Sequence, residues 1–399
     1  MQKQKTKTRT PSPGKINIES YKAKVKSWGY LENLQKLGSG QKENMLSAGI
    51  DPSQKGRSGT YLQMDHSVVH SKSLYPGLEV MSISQALKKH EWLNNYFWKV
   101  ISIEADDFTK QAQRQPHQGY FLRALPGVKT VYPLQACLFI NENNIIQNVH
   151  NIIIAEEGSD LEVITGCAAA GDVRRGLHIG ISEFYVKKGA KLTFTMIHNW
   201  AEDVAVRPRT ATLVEEGGAF LSNYICLKPV KTLQMCPKAE LVGGGALARY
   251  NSILFASSGT HLDVGSRVIL KAEASRAEVI SRAVSAGGHI IARGHLIGEA
   301  KGIKAHLECR GLMLAEKGLI DAIPELEGNV KGVEMSHEAA VGKIARDEIE
   351  YLMARGLSQD EAQAAIVRGF LDTSIMGLPE VLQKEVDKAV ATYPVGEGL

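Results

Sequence analysis

The feature that most constrains the fold is a glycine-marked phrase that recurs through the middle of the chain. Its six copies begin at Ala155, Val186, Val214, Val242, Leu270 and Ile297. Successive starts are separated by 31, 28, 28, 28 and 27 residues, and a nearly fixed period of this size is typical of stacked repeats. Apolar residues within a copy, such as Leu192 and Phe194, alternate by two rather than by three and four. The pattern predicts a mainly β chain built on a parallel β-helix, with one coil per copy.

The remaining sequence divides into segments on either side of this array. Residues 1–15 are basic and rich in Pro and Ser, which predicts a disordered tail. Residues 16–118 read as a small α-rich domain, in which Leu87, Trp92 and Phe97 build an apolar stripe over residues 82–101. Residues 119–335 form the predicted β-helix, and 336–399 form a helical domain. Its helices are expected over 338–354, over 358–370 behind a capping box, and over 379–391.

Bulk composition indicates a soluble globular protein. Of the 399 residues, 44% are hydrophobic and 23% are charged, and the net charge is only +4, so nucleic acid is not an expected partner. No apolar run approaches the ~20 residues needed to span a bilayer, and no signal-peptide core follows the start. The sequence therefore predicts a cytoplasmic protein without a membrane partner.

The cysteines favour free thiols or metal ligands over disulfides. There are five of them, an odd number in a chain without an export signal: Cys137, Cys167, Cys226, Cys236 and Cys309. No CxxC pair occurs, so a zinc ribbon or a ferredoxin-type loop is not supported. No GxxxxGK[ST] motif occurs either, so ATP hydrolysis by this chain is not expected.

The best candidate site lies at the change from β to helical sequence, over residues 304–344. Cys309 precedes the change, and Ser336, His337 and Glu338 stand at it, so a thiol, an imidazole and a carboxylate meet where the architecture switches. Thiolate, imidazole and carboxylate groups are all metal ligands, so this stretch is a candidate metal site. Three further histidines in neighbouring β-like sequence are also candidate metal ligands: His289, His295 and His306.

The repeat also predicts which side chains share a column. The twelfth residues after the six starts are Cys167, His198, Cys226, Leu254, Arg282 and Cys309. Coils stack about 4.8 Å apart, so Cys226 and Cys309, three coils apart, are expected near 14 Å from each other. Pro229 and Pro237 suggest that Cys226 and Cys236 bracket a loop leaving the coil. The column is either a tight fit for small side chains or a route for sulfur species.

Three stretches carry a resemblance to a known family. They are MSHEAAVGKIARDEIEYLMARGLSQDEAQAAIVRGFL at 335–371, TYLQMDHSVV at 60–69 and GYFLRALPGVKTVYPLQ at 119–135. The chain resembles the SufB/SufD family of iron–sulfur cluster assembly scaffolds. It looks more like a SufB-type subunit, because Cys309 and the His337-Glu338 pair are present. The resemblance implies a right-handed parallel β-helix flanked by N-terminal and C-terminal α-helical segments.

The resemblance also implies a site and partners. We expect Cys309 and Glu338 to bind an iron–sulfur cluster, with [4Fe-4S] favoured, Cys226 and Cys236 as additional thiolates and His337 as an alternative to Glu338. The C-terminal helices are expected to bind a SufC-type ABC ATPase. The other partners are a second copy or a paralogous subunit, and apo acceptor proteins. Val214 occupies the position of the family's sulfur-acceptor cysteine, so the sulfur donor is left open between a desulfurase persulfide and free sulfide.

Two alternatives stay open. The resemblance implies a scaffold rather than an enzyme, and the first alternative is a purely structural SufD-like partner that lacks its own cluster site. A β-helix carbohydrate-active enzyme would need two carboxylates about 5 to 9.5 Å apart on one face of a coil. No repeat-phased pair of acids is evident in the sequence, which disfavours the enzyme.

Overall fold

The computed structural model describes residues 16–371, and its dominant element is a parallel β-solenoid of about eight turns. Strand occupies 49% of the residues and helix 16%, so the chain is mainly β, as the period predicted. Two sheets form the walls of the solenoid. Sheet 1 has ten strands and sheet 2 has eleven among the described residues.

The strands follow one another with short connections. In chain order they are β1 (Gly59–Met64), β2 (Ser67–Ser73), β3 (Leu78–Ser82), β4 (Tyr120–Ala124), β5 (Leu134–Ile140), β6 (Ile145–Ala155), β7 (Asp160–Ala169), β8 (Arg175–Val186), β9 (Lys191–Asn199), β10 (Asp203–Val206), β11 (Arg209–Val214), β12 (Ala219–Cys226), β13 (Thr232–Met235), β14 (Lys238–Leu241), β15 (Leu247–Ser257), β16 (His261–Leu270), β17 (Arg276–Ala286), β18 (His289–Gly298), β19 (Lys304–Met313), β20 (Leu319–Gly328) and β21 (Glu334–Lys343). Sheet 1 has the order β2-β1-β5-β7-β9-β12-β15-β17-β19-β21. The other eleven strands form sheet 2, which ends on β18 and β20.

The helices are few and short. They are α1 (Ser39–Ser47), α2 (Ile83–Lys89), α3 (Asp107–Arg114), α4 (Arg346–Met353) and α5 (Gln359–Phe370), with single 3₁₀ turns at Ile18–Ser20, Leu34–Lys36, Glu91–Asn95 and Ile103–Ala105. Within residues 16–371, no helix is long and apolar enough to cross a bilayer.

The solenoid follows directly from the repeated phrase. Residues 31 apart pair between β7 and β9, and residues 28 apart pair between β9 and β12 and between β12 and β15. The turn glycines Gly158, Gly189 and Gly217 all have φ near +65°, a conformation that glycine adopts without the steric cost of a side chain. Alternate residues of each strand point into the solenoid, where they form one continuous apolar core.

A second apolar cluster lies on the outside of sheet 1. It is covered at one end by residues 34–50, including Leu34 and Ile50, and at the other by Val367 and Leu371. Both terminal regions therefore pack against the same wall of the solenoid.

Residues 16–118 contain more strand than the sequence predicted. β1, β2 and β3 lie within this stretch, and β1 runs parallel to β5 so that it extends sheet 1. The helix expected over residues 82–101 is α2 followed by a 3₁₀ turn, because the extended backbone of His90 ends α2. Trp92 and Phe97 still pack against a common apolar cluster. The tail predicted over 1–15 lies outside the described residues.

The prediction of a helix over 338–354 was wrong in its first half. β21 continues to Lys343 and pairs residue by residue with β19, and the helix is α4. Pairing with a preceding coil outweighs the helical spacing of the apolar residues, since strand formation depends on such neighbours. α5 begins at the predicted capping box, in which the Ser358 hydroxyl accepts from the amide of Glu361. The helix predicted over 379–391 lies outside the described residues.

Candidate functional site

The C-terminal end of the solenoid is an open edge. β21 pairs with β19 on one side and, among the described residues, with no strand on the other. Most of its residues are exposed, including Val341 at 45%. Because no further coil follows within residues 16–371, this strand presents one row of unpaired backbone groups and one row of inward-pointing side chains. We refer to β20 and β21 together as the open edge.

Cys309 and Glu338 lie on the neighbouring strands β19 and β21, but their side chains do not meet. The chain returns once round the solenoid between them, as predicted, and β19 and β21 are neighbours. Cys309 pairs with Ala339 and belongs to the interior core, where it is 2% exposed. Glu338 lies beside Glu308, which alternates with the interior residues and so lies on the outer face. Within one chain the thiol and the carboxylate face opposite sides of sheet 1.

His337 lies on the same face as the thiol. Its register partner is Leu307, an interior residue two positions before Cys309. From the strand spacing, the Cα atoms of His337 and Cys309 are about 8 Å apart. His337 is nevertheless exposed, because β21 is the last coil. Burial, followed by the charge of Glu308, raises the pKa of the Cys309 thiol to about 11.

An acidic pair at this edge escaped the sequence reasoning. The register sets Glu308 next to Glu338, 30 residues later, on the outer face. Glu308 is bound by the guanidinium groups of Arg310 at 2.9 Å and Arg282 at 3.3 Å. The pair was missed because the turn preceding β21 makes the last repeat longer than 28 residues. It sets the carboxylate of Glu308, on β19, directly beside that of Glu338 on the outer face.

Cys226 lies deep in the solenoid rather than on a loop. It is the last residue of β12, is 1% exposed, and points into the interior core. The chain then continues through β13 and β14 in sheet 2. Pro229 and Pro237 therefore lie between strands of the coil, and Cys226 is not on a loop that leaves it. Burial raises the pKa of Cys226 to about 12, against the opposing hydrogen bond of Tyr224. The structure does not bring Cys226 to Cys309.

Cys236 is the exposed cysteine of the five. It sits between β13 and β14 on the outside of sheet 2, on the wall opposite Cys309. Desolvation by the surrounding atoms, followed by the charge of Asp263, raises the pKa of the Cys236 thiol. The charges of Arg293 and Arg267 act to lower that pKa. Asp263 itself is paired with Arg293 at 2.5 Å. Within one chain, Cys236 is therefore separated from the other predicted ligands.

The predicted column is correct over its first four members and wrong over its last two. Cys167, His198, Cys226 and Leu254 are register partners in successive strands. The next partner of Leu254 is Ala283, because residues 29 apart pair between β15 and β17. Cys309 instead continues a neighbouring inward column. One added residue in a turn shifts the register of every later coil.

The column that ends at Cys309 is lined with hydroxyl groups. Its members in successive strands are Met196, Tyr224, Ser252, Ser281 and Cys309. The Tyr224 hydroxyl lies 2.8 Å from Nδ1 of His198, and Tyr224 precedes Cys226 by two residues on the same inward face. The buried hydroxyl of Ser281 has no hydrogen-bond partner within the described part of the chain. Hydroxyl groups thus line this inward column from Tyr224, two residues before Cys226, to Cys309.

The candidate histidines each have a partner on the outside of the solenoid. His289 lies 3.3 Å from Asp321, His295 lies 2.7 Å from Glu327, and the ring of His306 lies 2.9 Å from the Ser336 hydroxyl. Across residues 16–371, no three His, Cys, Asp or Glu side chains are grouped so that they could hold a metal ion. The described part of one chain therefore does not supply a complete metal site.

Comparison with known proteins identifies the family of this chain. Residues 138–370 match the family model described as SUF system FeS cluster assembly, SufBD core domain. The chain is also 54% identical over 349 residues to an iron–sulfur cluster assembly SufBD family protein of Archaeoglobus fulgidus, which covers 88% of this chain and 94% of that protein. The chain belongs to the SufBD family.

More distant SufBD proteins align over a similar length. A SufBD family protein of Methanothermobacter thermautotrophicus strain Winter is 48% identical, with 87% of this chain and 86% of that protein covered. One from Staphylococcus epidermidis is 31% identical, with 84% and 74% covered. The resemblance predicted from the sequence is confirmed, and the open edge with Cys309, His337 and Glu338 lies inside the range matched by the SufBD model.

Proposed function

We propose that this protein is a SufB-type scaffold on which iron–sulfur clusters are assembled and then transferred, with the open edge as the assembly surface. The observation that carries the proposal is that β21, which has no second partner strand among the described residues, bears both His337 and Glu338, one strand away from Cys309. The cluster is cargo, so a donor set with one thiolate and weaker oxygen or nitrogen ligands suits release. We favour a [4Fe-4S] cluster.

A second subunit completes the site in this proposal. One chain lacks three grouped ligands in its described part, and an unpaired edge strand is a template for pairing with another chain. A second copy, or a paralogous subunit, joining at β21 brings a second set of donors to the same edge. Cys226 and Cys236 of the same chain lie too far from Cys309 to share its cluster in this arrangement.

The interior column supports a route for sulfur. Val214 is buried where the family's acceptor cysteine is expected, so we propose that sulfide enters the solenoid without a persulfide at that position. Cys226 is an interior thiol on β12, the strand that follows Val214 in the chain, and the hydroxyl column leads from Tyr224 to Cys309.

Reconstitution with iron and sulfide under anaerobic conditions tests the assembly site. We expect Cys309→Ser to lose the cluster absorption while its circular dichroism is unchanged, because serine keeps the size and removes the soft donor. Cys137→Ser is the matched control, since Cys137 is equally buried but packs outside sheet 1. Full occupancy in Cys309→Ser would contradict the proposal. No cluster in the unaltered protein would favour the SufD-like alternative.

Docking of an ABC-type ATPase on the C-terminal helices is a further part of the proposal. α5 packs on the solenoid through Val367, whereas α4 exposes Tyr351 at 56% and Met353 at 41%. We expect Tyr351→Glu to reduce co-purification of the ATPase at least tenfold. The control Tyr132→Glu alters an equally exposed tyrosine outside these helices and is expected to leave binding intact. Equal binding by both variants would contradict docking at α4.

A further inference from the structure

An exposed apolar patch lies on the loops of the first coil, at the end of the solenoid opposite the open edge. Its side chains are Leu74, which is 44% exposed, Val131 at 77% and Tyr132 at 55%. Leu74 directly follows β2, and Val131 and Tyr132 lie just before β5. We refer to these residues as the first-coil patch. They take no part in the cluster site proposed above.

Hydrogen bonds hold the loops of the first-coil patch together. The amide of Leu74 donates to the carbonyl of Ser58 at 2.8 Å, and the amide of Ser58 donates to the carbonyl of Pro133 at 3.1 Å. The Tyr75 hydroxyl donates to the carbonyl of Lys129 at 3.0 Å. The patch is therefore one ordered surface rather than a set of scattered apolar side chains. An ordered surface loses little conformational entropy on binding.

Lysines border the first-coil patch. They are Lys55, Lys72 and Lys129, and all three are exposed. Lys72 and Lys129 each stand two residues before an apolar member of the patch, and Lys55 adjoins Gly56, which lies against the ring of Tyr132. In the part of the chain that the structure describes, no carboxylate oxygen lies within 4.0 Å of these three ammonium groups.

Two carboxylates stand in neighbouring turns, and both have other partners. Asp51 accepts hydrogen bonds from the amide and the hydroxyl of Ser53 at 2.8 and 2.7 Å. Asp160, whose carbonyl accepts from the amide of Thr130, lies 3.6 Å from the ammonium group of Lys191. The three lysines of the patch therefore keep their charge available for a partner.

We propose that the first-coil patch docks an acidic segment of a partner protein, in which aliphatic or aromatic side chains alternate with carboxylates. The apolar side chains of the segment pack on Leu74, Val131 and Tyr132, and its carboxylates meet the three lysines. An apolar centre with a charged rim is the usual arrangement of a protein interface. Complementary charge of this kind contributes to the choice of partner.

A discrete protein segment fits these charges better than an anionic lipid surface does. A continuous layer of anionic headgroups would repel Asp51 and Asp160, whereas a segment can place its carboxylates on the lysines alone. Stable binding to a bilayer also needs a larger apolar face or more cations than the patch offers. Because the patch and the open edge lie at opposite ends of the solenoid, the proposal is independent of cluster assembly.

Fluorescence anisotropy of a labelled peptide on the intact protein tests the proposal. The probe is a synthetic peptide in which glutamate alternates with leucine and phenylalanine. We expect it to bind with a Kd below about 0.2 mM, and the same peptide with lysine in place of glutamate to bind at least about tenfold more weakly. Raising the salt concentration from about 0.05 M to about 0.5 M is expected to weaken binding about fivefold, because exposed charges are screened.

Two matched pairs of substitutions locate the binding surface. We expect Val131→Ser to weaken binding at least about threefold, and Val242→Ser, at an exposed valine between β14 and β15, to change it less than about twofold. We expect Lys55→Glu to weaken binding at least about fivefold, and Lys88→Glu, at an exposed lysine of α2, to change it less than about twofold. All four positions are exposed, so the variants are expected to fold.

Several results would overturn the proposal. They are no binding of the glutamate peptide up to about 2 mM, equal binding of the lysine peptide, and equal loss in each substitution and its control. Binding of phosphatidylglycerol vesicles in place of the peptide would assign the patch to a membrane, and loss of a dimer in Val131→Ser would assign it to a second copy. Cluster reconstitution of Val131→Ser is expected to be unchanged, so this test is separate from that of the open edge.

Discussion

The two ends of the solenoid are finished in different ways. At the N-terminal end, β1 extends sheet 1, β2 pairs with it antiparallel, and residues 34–50 cover the outer face. At the C-terminal end, β21 is exposed over most of its length. A protein that needed only stability would cover both ends, since exposed strand edges invite association. This difference is the basis of our proposal that the C-terminal end joins a partner, whereas the N-terminal end is closed by the chain itself.

Two carboxylates show the same contrast. Glu183, behind the capped half, is fully buried and bound by backbone amides and by His150. Glu338, at the open edge, is exposed and adjoins another carboxylate. The first arrangement stabilises a turn, and the second keeps an anionic group available for a cation.

The largest expected effect on stability is at the buried carboxylate. We expect Glu183→Gln to lower the free energy of unfolding by about 3 to 5 kcal/mol, because the amides of Trp98, Lys99 and Val100 lose a charged acceptor. Urea unfolding measures the change. Glu338→Gln is the control and is expected to alter stability by less than about 0.5 kcal/mol. Equal effects of the two substitutions would remove the distinction between the ends.

Acid is expected to act on the capped half of the solenoid with a smaller effect. Burial lowers the pKa of His117 and of His178 to about 3, compared with 6.5 in an unfolded chain. The unfolded state therefore binds more protons below pH 6.5, and stability falls as the pH drops from 6.5 towards 3. Between pH 7 and pH 5 we expect a loss of about 2 kcal/mol for each histidine.

Denaturation at both pH values checks this prediction. The variant His178→Gln, which removes one of the titrating groups, is expected to lose about 2 kcal/mol less than the unaltered protein between pH 7 and pH 5. A pH dependence that is the same in both proteins would show that His178 is not held neutral by burial.

The sequence was sufficient to predict the solenoid but not its last coil. Turn glycines and alternating apolar residues are local signals, so the period and the coils from Ala155 onward could be predicted from the sequence. The strand β21 was not, because Ala339, Ala340 and Ile344 also fit a helix, and only pairing with β19 decides between the two. The capping box at Ser358 is again local, and it was predicted correctly.

The location of the candidate site could be predicted from the sequence, but the face of sheet 1 on which each of its side chains lies could not. Cys309, His337 and Glu338 were identified, and the structure places their strands side by side. The face on which a side chain lies depends on the strand register, and the register depends on the lengths of the turns. Counting repeats in the sequence leaves those turn lengths uncertain by one or two residues. The same uncertainty produced the wrong end of the column and concealed the Glu308 and Glu338 pair.

The central claim is that the open edge assembles clusters by joining a second subunit, and one substitution tests it directly. Ala339 is exposed, lies in the inward row of β21 and is the register partner of Cys309. We expect Ala339→Lys to leave the monomer folded, because no described residue covers it, while a buried ammonium opposes association at this edge. Native mass spectrometry after anaerobic reconstitution is predicted to show clusters on dimers of the unaltered protein and apo monomers of the variant. Ala339→Lys monomers with a full complement of clusters would contradict the account.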